Sequence, residues 1–348
     1  MKRSKVIIPV VVIALIAAIA GALLYRKAAP PEPVRLLPGA EAYLYVNATP
    51  LRLADIQPSE VHLDPEYENF VKETGFQVER DLDEAAIAAH VPPPGSPATA
   101  ETRFSEVFVA KFDTTRLRRY LNKLSSRVDS YRDIEVFNIP IENRTVRVAI
   151  LAPDLVTASN VDDPLVIRGV IDRYKRLASP FAGPKLVRQY YRKLPFGSVA
   201  WAIADIARDS KQNKAFVIPG GFDLFFPPDS VAVASVRYLG SIDFKAQVFT
   251  QNEESARRVT DQVSAFLALF RSLESNATGS DPDVKKFFDS LKIEQNGSQA
   301  ILTAELPKGF IKKLLTEPPA TPQVTPPPEQ PKKPAAKSKA KAKKAPTK

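Results

Sequence analysis

The chain has no cysteine, and only two histidines, one tryptophan and one methionine among 348 residues. Without a thiol there is no disulfide, thiolate nucleophile, iron–sulfur cluster, Cys-based zinc site or lipid-modified cysteine. His62 and His90 are too few for a multi-histidine metal centre within one chain. Glycine is scarce at 13 residues. The one adjacent pair, Gly220-Gly221, is not followed by Lys-Ser or Lys-Thr, so no phosphate-cradling loop is present. A G-x-S-x-G nucleophile elbow and a D-x-D-x-D-G calcium loop are absent as well. No catalytic residue, cofactor or metal ligand can be nominated, and the expectation is a non-enzymatic protein.

What is present describes a globular body with unusual ends. Hydrophobic residues make up 44% and charged residues 25%, too apolar for a chain disordered throughout. The length suits about two domains. The net charge of +10 is concentrated at the termini. Lys2, Arg3, Lys5, Arg26 and Lys27 place +5 in residues 1–27, and eight lysines without an acid place +8 in residues 331–348, which leaves −3 for residues 28–330. A nucleic-acid-binding domain carries its charge on its own folded face, so nucleic acid is not an expected partner.

Val6–Tyr25 (VIIPVVVIALIAAIAGALLY) is uncharged. As a helix its 20 residues span about 30 Å, the hydrocarbon thickness of a bilayer. Pro9 sits in the first turn, where a missing N–H costs little. The positive flank before the run slightly outweighs the pair after it, which favours an N-terminus in the cytoplasm and a body outside. Ala18-Ile19-Ala20 also has the form of a signal-peptide cleavage site, although the apolar run continues beyond it. The expected location is the bacterial inner membrane, with the body in the periplasm.

The order of segments follows. Residues 1–5 are a basic flank, 6–25 a transmembrane signal anchor and 26–34 a Pro-rich linker. Residues 35–180 and 181–316 are two α+β copies, and 317–348 is a tail. Ala42–Ala48 and Phe104–Phe112 read as strands, as do Ile134–Ile139, Thr145–Ala152 and Leu155–Ser159. Glu66–Thr74, Asp81–His90, Thr114–Arg127 and Asp162–Leu177 read as helices, with Asp113 as a cap of the third. LLPGAEAYLYVNATPLR (Leu36–Arg52) is echoed by KLPFGSVAWAIADIAR (Lys193–Arg208), with Ala42-Tyr43 answering Ala200-Trp201 after a one-residue insertion. Strand Phe104–Phe112 and its helix are mirrored by Ile242–Thr250 and Glu253–Arg271, and the hairpin Ile134–Ala152 by Lys292–Leu306. The expected fold class is therefore α+β: two similar antiparallel sheets of roughly 140 residues each, with helices on one face.

Three of these stretches, LLPGAEAYLYVN, FVKETGFQVERDLDEA (Phe70–Ala85) and FSEVFVAKFD (Phe104–Asp113), together resemble an uncharacterised bacterial family. Its members are exported or membrane-anchored and carry only an unknown-function label. They open on an LPAD-x-AY-V-V strand and contain TG-hydrophobic-x-x-x-x-D. Here Leu37-Pro38 is followed by Gly39-Ala40-Glu41, and the resemblance covers about residues 36–180. It implies an extracytoplasmic location and an α+β fold, and it supplies no site residues.

Several local features have competing readings. His90 is read at a helix end, where an imidazole meets the C-terminal dipole. The acidic runs Glu79–Glu84 and Asp162-Asp163 read as helix N-termini rather than paired catalytic carboxylates, and Asp281-Pro282-Asp283 likewise starts a helix. KLVRQYYRK (Lys185–Lys193) mixes basic and aromatic residues as single-stranded nucleic-acid sites do, but suits a connector helix with snorkelling side chains. Phe216, Phe222, Phe225 and Phe226 crowd FVIPGGFDLFFPPD; with Trp201 they form a candidate apolar patch for a ligand or partner, or else plug the sheet. The four N-x-S/T sequons carry little weight in a bacterial protein.

The tail at 317–348 holds nine prolines and eight lysines and one large aliphatic residue, Val324, so ordering it would cost more entropy than burial returns. Lys332, Lys333, Lys337, Lys339, Lys341, Lys343, Lys344 and Lys348 are candidate contacts for an envelope polyanion or envelope protein, in a salt-sensitive manner. Taken together, the chain reads as a single-pass, extracytoplasmic binding or scaffolding module. The alternative is a carrier for a small apolar ligand held between the two copies.

Overall fold

The computed structural model describes residues 29–53, 65–92, 96, 100–142, 144–176, 183–206, 216–218, 222–238, 241–275 and 282–307. The 6–25 segment, His62, Gly220-Gly221 and the 317–348 tail lie outside them. Among the described residues no helix is long and apolar enough to cross a membrane.

A one-turn helix α1 (Glu32–Leu36) leads into β1 (Ala42–Asn47), followed by α2 (Thr49–Leu53), α3 (Pro65–Thr74) and α4 (Val78–Asp81). Next come β2 (Leu82–His90), β3 (Arg103–Ala110) and α5 (Thr114–Leu124), which starts at Asp113, whose carboxylate accepts from the N–H groups of Thr115 and Arg116. A meander follows: β4 (Arg127–Tyr131), β5 (Ile134–Ile141), β6 (Arg144–Ala152) and β7 (Leu155–Ser159). Then α6 (Leu165–Tyr174), α7 (Lys185–Tyr190) and a 3₁₀ turn (Tyr191–Lys193) bridge to β8 (Ser198–Asp205). The remainder is β9 (Phe216–Ile218), β10 (Phe222–Leu224), β11 (Val231–Tyr238), β12 (Ile242–Phe249), α8 (Glu253–Ser275), α9 (Pro282–Ser290), β13 (Lys292–Asn296) and β14 (Gln299–Leu306).

Among the described residues, twelve strands form one antiparallel sheet in the order β13-β14-β12-β11-β8-β1-β2-β3-β7-β6-β5-β4, and β9 pairs with β10 apart from it. The expected pair of separate sheets is thus corrected to a single one. The reason lies in β1 and β8. AYLYV and VAWAIA are apolar on both faces, which suits strands in the middle of a sheet rather than at an edge. They pair with each other, Tyr43 opposite Ile203, Leu44 opposite Ala202 and Tyr45 opposite Trp201. This register is symmetric under the echo read from the sequence. Aligning Ala42-Tyr43 with Ala200-Trp201 makes Leu44 the counterpart of Ala202, and those two residues face each other. A local two-fold axis therefore passes through that pair.

Outward from the axis the path repeats. In each half the second and third strands (β2 and β3, β11 and β12) are followed by a helix, and a hairpin returns so that its last strand pairs with the third. The counterpart of β13–β14 is consequently β6–β7, not the expected Ile134–Ala152 hairpin. The extra hairpin β4–β5, whose first strand was not expected, extends one edge.

Asp81–His90, expected as a helix, is strand β2 from Leu82 onward. Alanine favours helices in isolation, but tertiary packing decides here. Ala88 lies opposite Tyr43 and Ala86 opposite Tyr45, and both alanines are fully buried. Two bulky rings on β1 need small neighbours on β2. The acidic run at 79–84 consequently straddles α4 and β2 instead of opening a helix. Asp163, by contrast, accepts from the Leu165 N–H at the start of α6.

Helices pack on both faces, which corrects the one-face expectation. Val34 and Leu37, with Ile167, Val170, Ile171 and Val187 from α6 and α7, cover Tyr43, Tyr45, Trp201 and Ile203 to form the main core. On the opposite face, Leu117 and Leu121 of α5 cover Phe137 and Val156 at one end. At the other end, α8 and α9 cover Phe244, Leu302 and Ala304.

Trp201 is 3% exposed and stacks on Tyr45 at a 5.5 Å centroid distance, directly across the β1–β8 junction. Trp201→Ala should lower stability by about 3–5 kcal/mol, measured as a drop in the urea midpoint with no change in m-value.

Candidate functional site

Cross-strand partners share a face of the sheet, and the pairing registers define three rows on the face opposite the main core. One runs Phe244, Val236, Ala200, Val46, Ala85, Phe108, Val156. The middle one runs Ala246, Ala234, Ala202, Leu44, Ile87, Glu106, Ala158. The third runs Val248, Ala232, Ala204, Ala42, Ala89, Phe104. An antiparallel sheet facing water normally turns polar residues outward. Here the residues that β3, β2, β1, β8, β11 and β12 contribute to these rows are apolar with one exception. Between α5 and α8 they are mostly half-buried, with Leu44 42% exposed on the two-fold axis and Phe104 39% exposed.

The result is a trough with a low floor and two helical walls. The floor is low because its centre is built from alanines. One wall is α5, backed by α3. Phe70, Phe76, Phe112 and Tyr120 pack ring to ring between them. Arg116 donates to the carbonyls of Lys72 and Glu73 at the end of α3. Gly75 turns the chain there at φ +76, a conformation that side chains rarely adopt, and the Arg116 guanidinium occupies the space a Cβ would need. The other wall is α8, with Ala256, Val259 and Leu267 buried. It is braced by α9 through Arg271, which donates to the Leu291 carbonyl at 2.7 Å.

Glu106 is the one charged residue in the three rows. It sits on β3 between Ile87 and Ala158, with Phe104 and Phe108 two residues to either side. Burial pushes its carboxyl above the usual range, and among the described residues its side chain has no hydrogen bond or ion pair. Its counterpart across the two-fold axis is Ala246, since β12 repeats β3.

The aromatic residues singled out from the sequence are carried by different elements. Trp201 lies on the opposite face, in the core, against Tyr45 and Tyr191. Phe225 is 53% exposed at the end of β10, where its N–H is bound by Gln262 of α8 at 3.1 Å, and Phe226 is half-buried. Phe216 and Phe222 belong to the β9–β10 ladder. The lysines of the tail, from Lys332 to Lys348, lie outside the described residues. At the junction of the two halves Trp201 is thus part of the core, and the trough lies on the reverse side, lined by the alternate residues of the same strands. The signal for it was the alanine and leucine positions between the aromatic residues of β1 and β8.

A second hollow, of about 610 Å³, lies at the far end of β11, β12 and β14. Arg237, Lys245 and Lys292 line it together with Asp243, Asp289 and Glu305. Its charges balance, and Arg237 is paired with Asp243 at 3.0 Å, so it offers no net field to a charged ligand. Among the described residues no cluster of three metal-ligating groups occurs.

His90 ends a strand, not a helix. Its Nε2 is 3.0 Å from the Ser105 hydroxyl, which is 3.0 Å from that of Ser159. Ser105 and Ser159 are buried, and the chain of contacts satisfies their hydroxyls within the sheet. A Ser–His contact at this distance has the reach of a nucleophile and its base, but the serine is closed to solvent. Burial lowers the His90 pKa, partly opposed by Glu41. As pH falls through about 6.5 the unfolded imidazole gains its proton first, so stability should fall there. The raised carboxyls of Glu84 and Glu106 give the opposite slope, so the comparison is between wild type and His90→Gln. The wild-type denaturation midpoint should drop more steeply on acidification below that pH.

No protein-family model matches the chain, and no curated protein matches it in sequence. The likeness to the exported family therefore stands on the short motifs alone. Among solved structures, the chain is similar to TP0453 of Treponema pallidum. Against crystal form III the identity is 11% and the TM-score 0.49, covering 82% of this chain and 97% of that one. Against form I the identity is 12% and the TM-score 0.45, over 82% and 95%. Against form IV they are 10% and 0.43, over 83% and 98%.

Proposed function

We propose that this chain is a non-enzymatic, membrane-anchored binding module that holds the acyl chain of an amphiphile in the trough. The observation that carries the reading is the apolar outward face of six adjacent strands. Water against such a face is unfavourable by about 25 cal/mol per Å², and exposed apolar patches of this kind mark interaction sites. Length supports an acyl chain as the occupant. From β3 to β12 there are five strand spacings of about 4.8 Å, or about 24 Å in all. A lipid tail in one leaflet spans about 15 Å, so it fits between the walls with room for a head group.

The position at a membrane rests on the sequence. Residues 6–25 would anchor the chain, with the body on the periplasmic side of a bacterial inner membrane. The lysines at 332–348 would add weak, salt-dependent attraction to anionic envelope polymers or head groups. An anchored trough beside a bilayer meets amphiphiles at high local concentration.

The test uses the full-length chain in its own membranes, with a benzophenone amino acid replacing Leu44 or, as a control, the exposed Ile141 on the outer hairpin. Irradiation should add lipid mass to the peptide containing position 44 and little at 141. Ala202→Glu, directly opposite Leu44, should cut the yield at 44 several-fold. Cross-linking of two copies of the chain through position 44, or no adduct there, would refute the reading.

A further inference from the structure

The trough is symmetric in strand order and asymmetric in charge. The two-fold axis at Leu44 and Ala202 relates its halves, yet Glu106 in one half is answered by Ala246 in the other. A carboxyl in the middle of a strand, flanked across the sheet by Ile87 and Ala158, is costly to keep desolvated unless something completes it. The sheet neighbours on its face bring no charge, and burial alone accounts for the upward displacement of its titration. Among the described residues no cation compensates it. Perturbed, unpartnered acids in apolar clefts are where ligands are recognised.

We infer that Glu106 receives the polar end of the bound amphiphile, and that this end carries an ammonium group. Charge complementarity selects the ammonium. A carboxylate or phosphate head placed against Glu106 would meet a like charge in a poorly hydrated site, whereas an ammonium both neutralises it and donates hydrogen bonds. The missing carboxyl at Ala246 fixes the direction, with the head over β3 and the tail running across Leu44, Ala202 and Ala234 toward β12. This assignment rests on the trough being an acyl site and adds the head-group class and orientation to it.

The experiment presents full-length protein in phosphatidylcholine nanodiscs with diazirine-bearing hexadecylamine, hexadecanol or palmitate, equal in chain length and mole fraction. Labelling of the trough strands is read by peptide mass spectrometry. The amine should label about tenfold more than the alcohol, as one charge-assisted contact allows, and palmitate should label least. Glu106→Gln should bring the amine down to the level of the alcohol without lowering the alcohol, and Glu106→Asp should keep the preference. Equal labelling by amine and alcohol in the wild type, or a preference that survives Glu106→Gln, would overturn the assignment while leaving the acyl site standing. Absence of labelling by all three would overturn the acyl site itself.

Discussion

Ala42 to Val46 hydrogen-bonds along its length to Ala200–Ala204, and this ladder turns two similar halves into one sheet. On one side of it, Tyr45 stacks on Trp201 and the main core closes over the junction. On the other, Leu44 and Ala202 meet with no helix among the described residues over them. The period-two alternation of a strand means that the same five residue pairs build both surfaces. A slip of β1 by one residue would turn Tyr43 and Tyr45 to the open face, away from Trp201. The register is therefore held by the aromatic side, and the shape of the trough follows from it.

An uncovered apolar face is a liability that most antiparallel sheets avoid with polar residues. This one limits it in two ways. Alanine offers little area per residue, so the floor loses less to water than a leucine or isoleucine floor would. The walls α5 and α8 also shade it from both ends, which is why most floor residues are half-buried. Placing alanine in central strands goes against β propensity, and packing accounts for only part of that choice. Ala86 and Ala88 make room for the Tyr43 and Tyr45 rings on the core side. Ala200, Ala202, Ala204, Ala232 and Ala234 face outward, where no large side chain presses on them from within the sheet, and their small size serves the depth of the trough.

Much of the fold was legible in the sequence. Strong alternation marked β1, β3, β6, β7 and β12, and the Asp113 cap marked α5. The Leu-Pro and Ala-aromatic echo marked the two strands that meet at the symmetry axis, although their pairing with each other was not expected. What was hidden depended on partners distant in sequence. β2 is rich in alanine and reads as a helix until the tyrosines opposite it are known. The continuity of the sheet is invisible locally, because a strand's second neighbour leaves no trace in its own residues beyond being apolar on both faces. The site was missed for the same reason. Trp201 and the phenylalanines are large and stand out in the sequence, whereas the trough is assembled from small residues on six strands. Glu106, within an otherwise ordinary strand FSEVFVA, gave no sign that its neighbours on either side would be Ile87 and Ala158.

The sheet ends at β4 on one side and β13 on the other. Such rims present unpaired N–H and C=O groups and invite another chain to add on. RVDSY and KIEQN place Arg127, Asp129, Lys292 and Glu294 along these two borders, so a would-be neighbouring strand must bring matching charges in the matching order. Lateral growth into fibrils is thereby discouraged at both ends of the sheet.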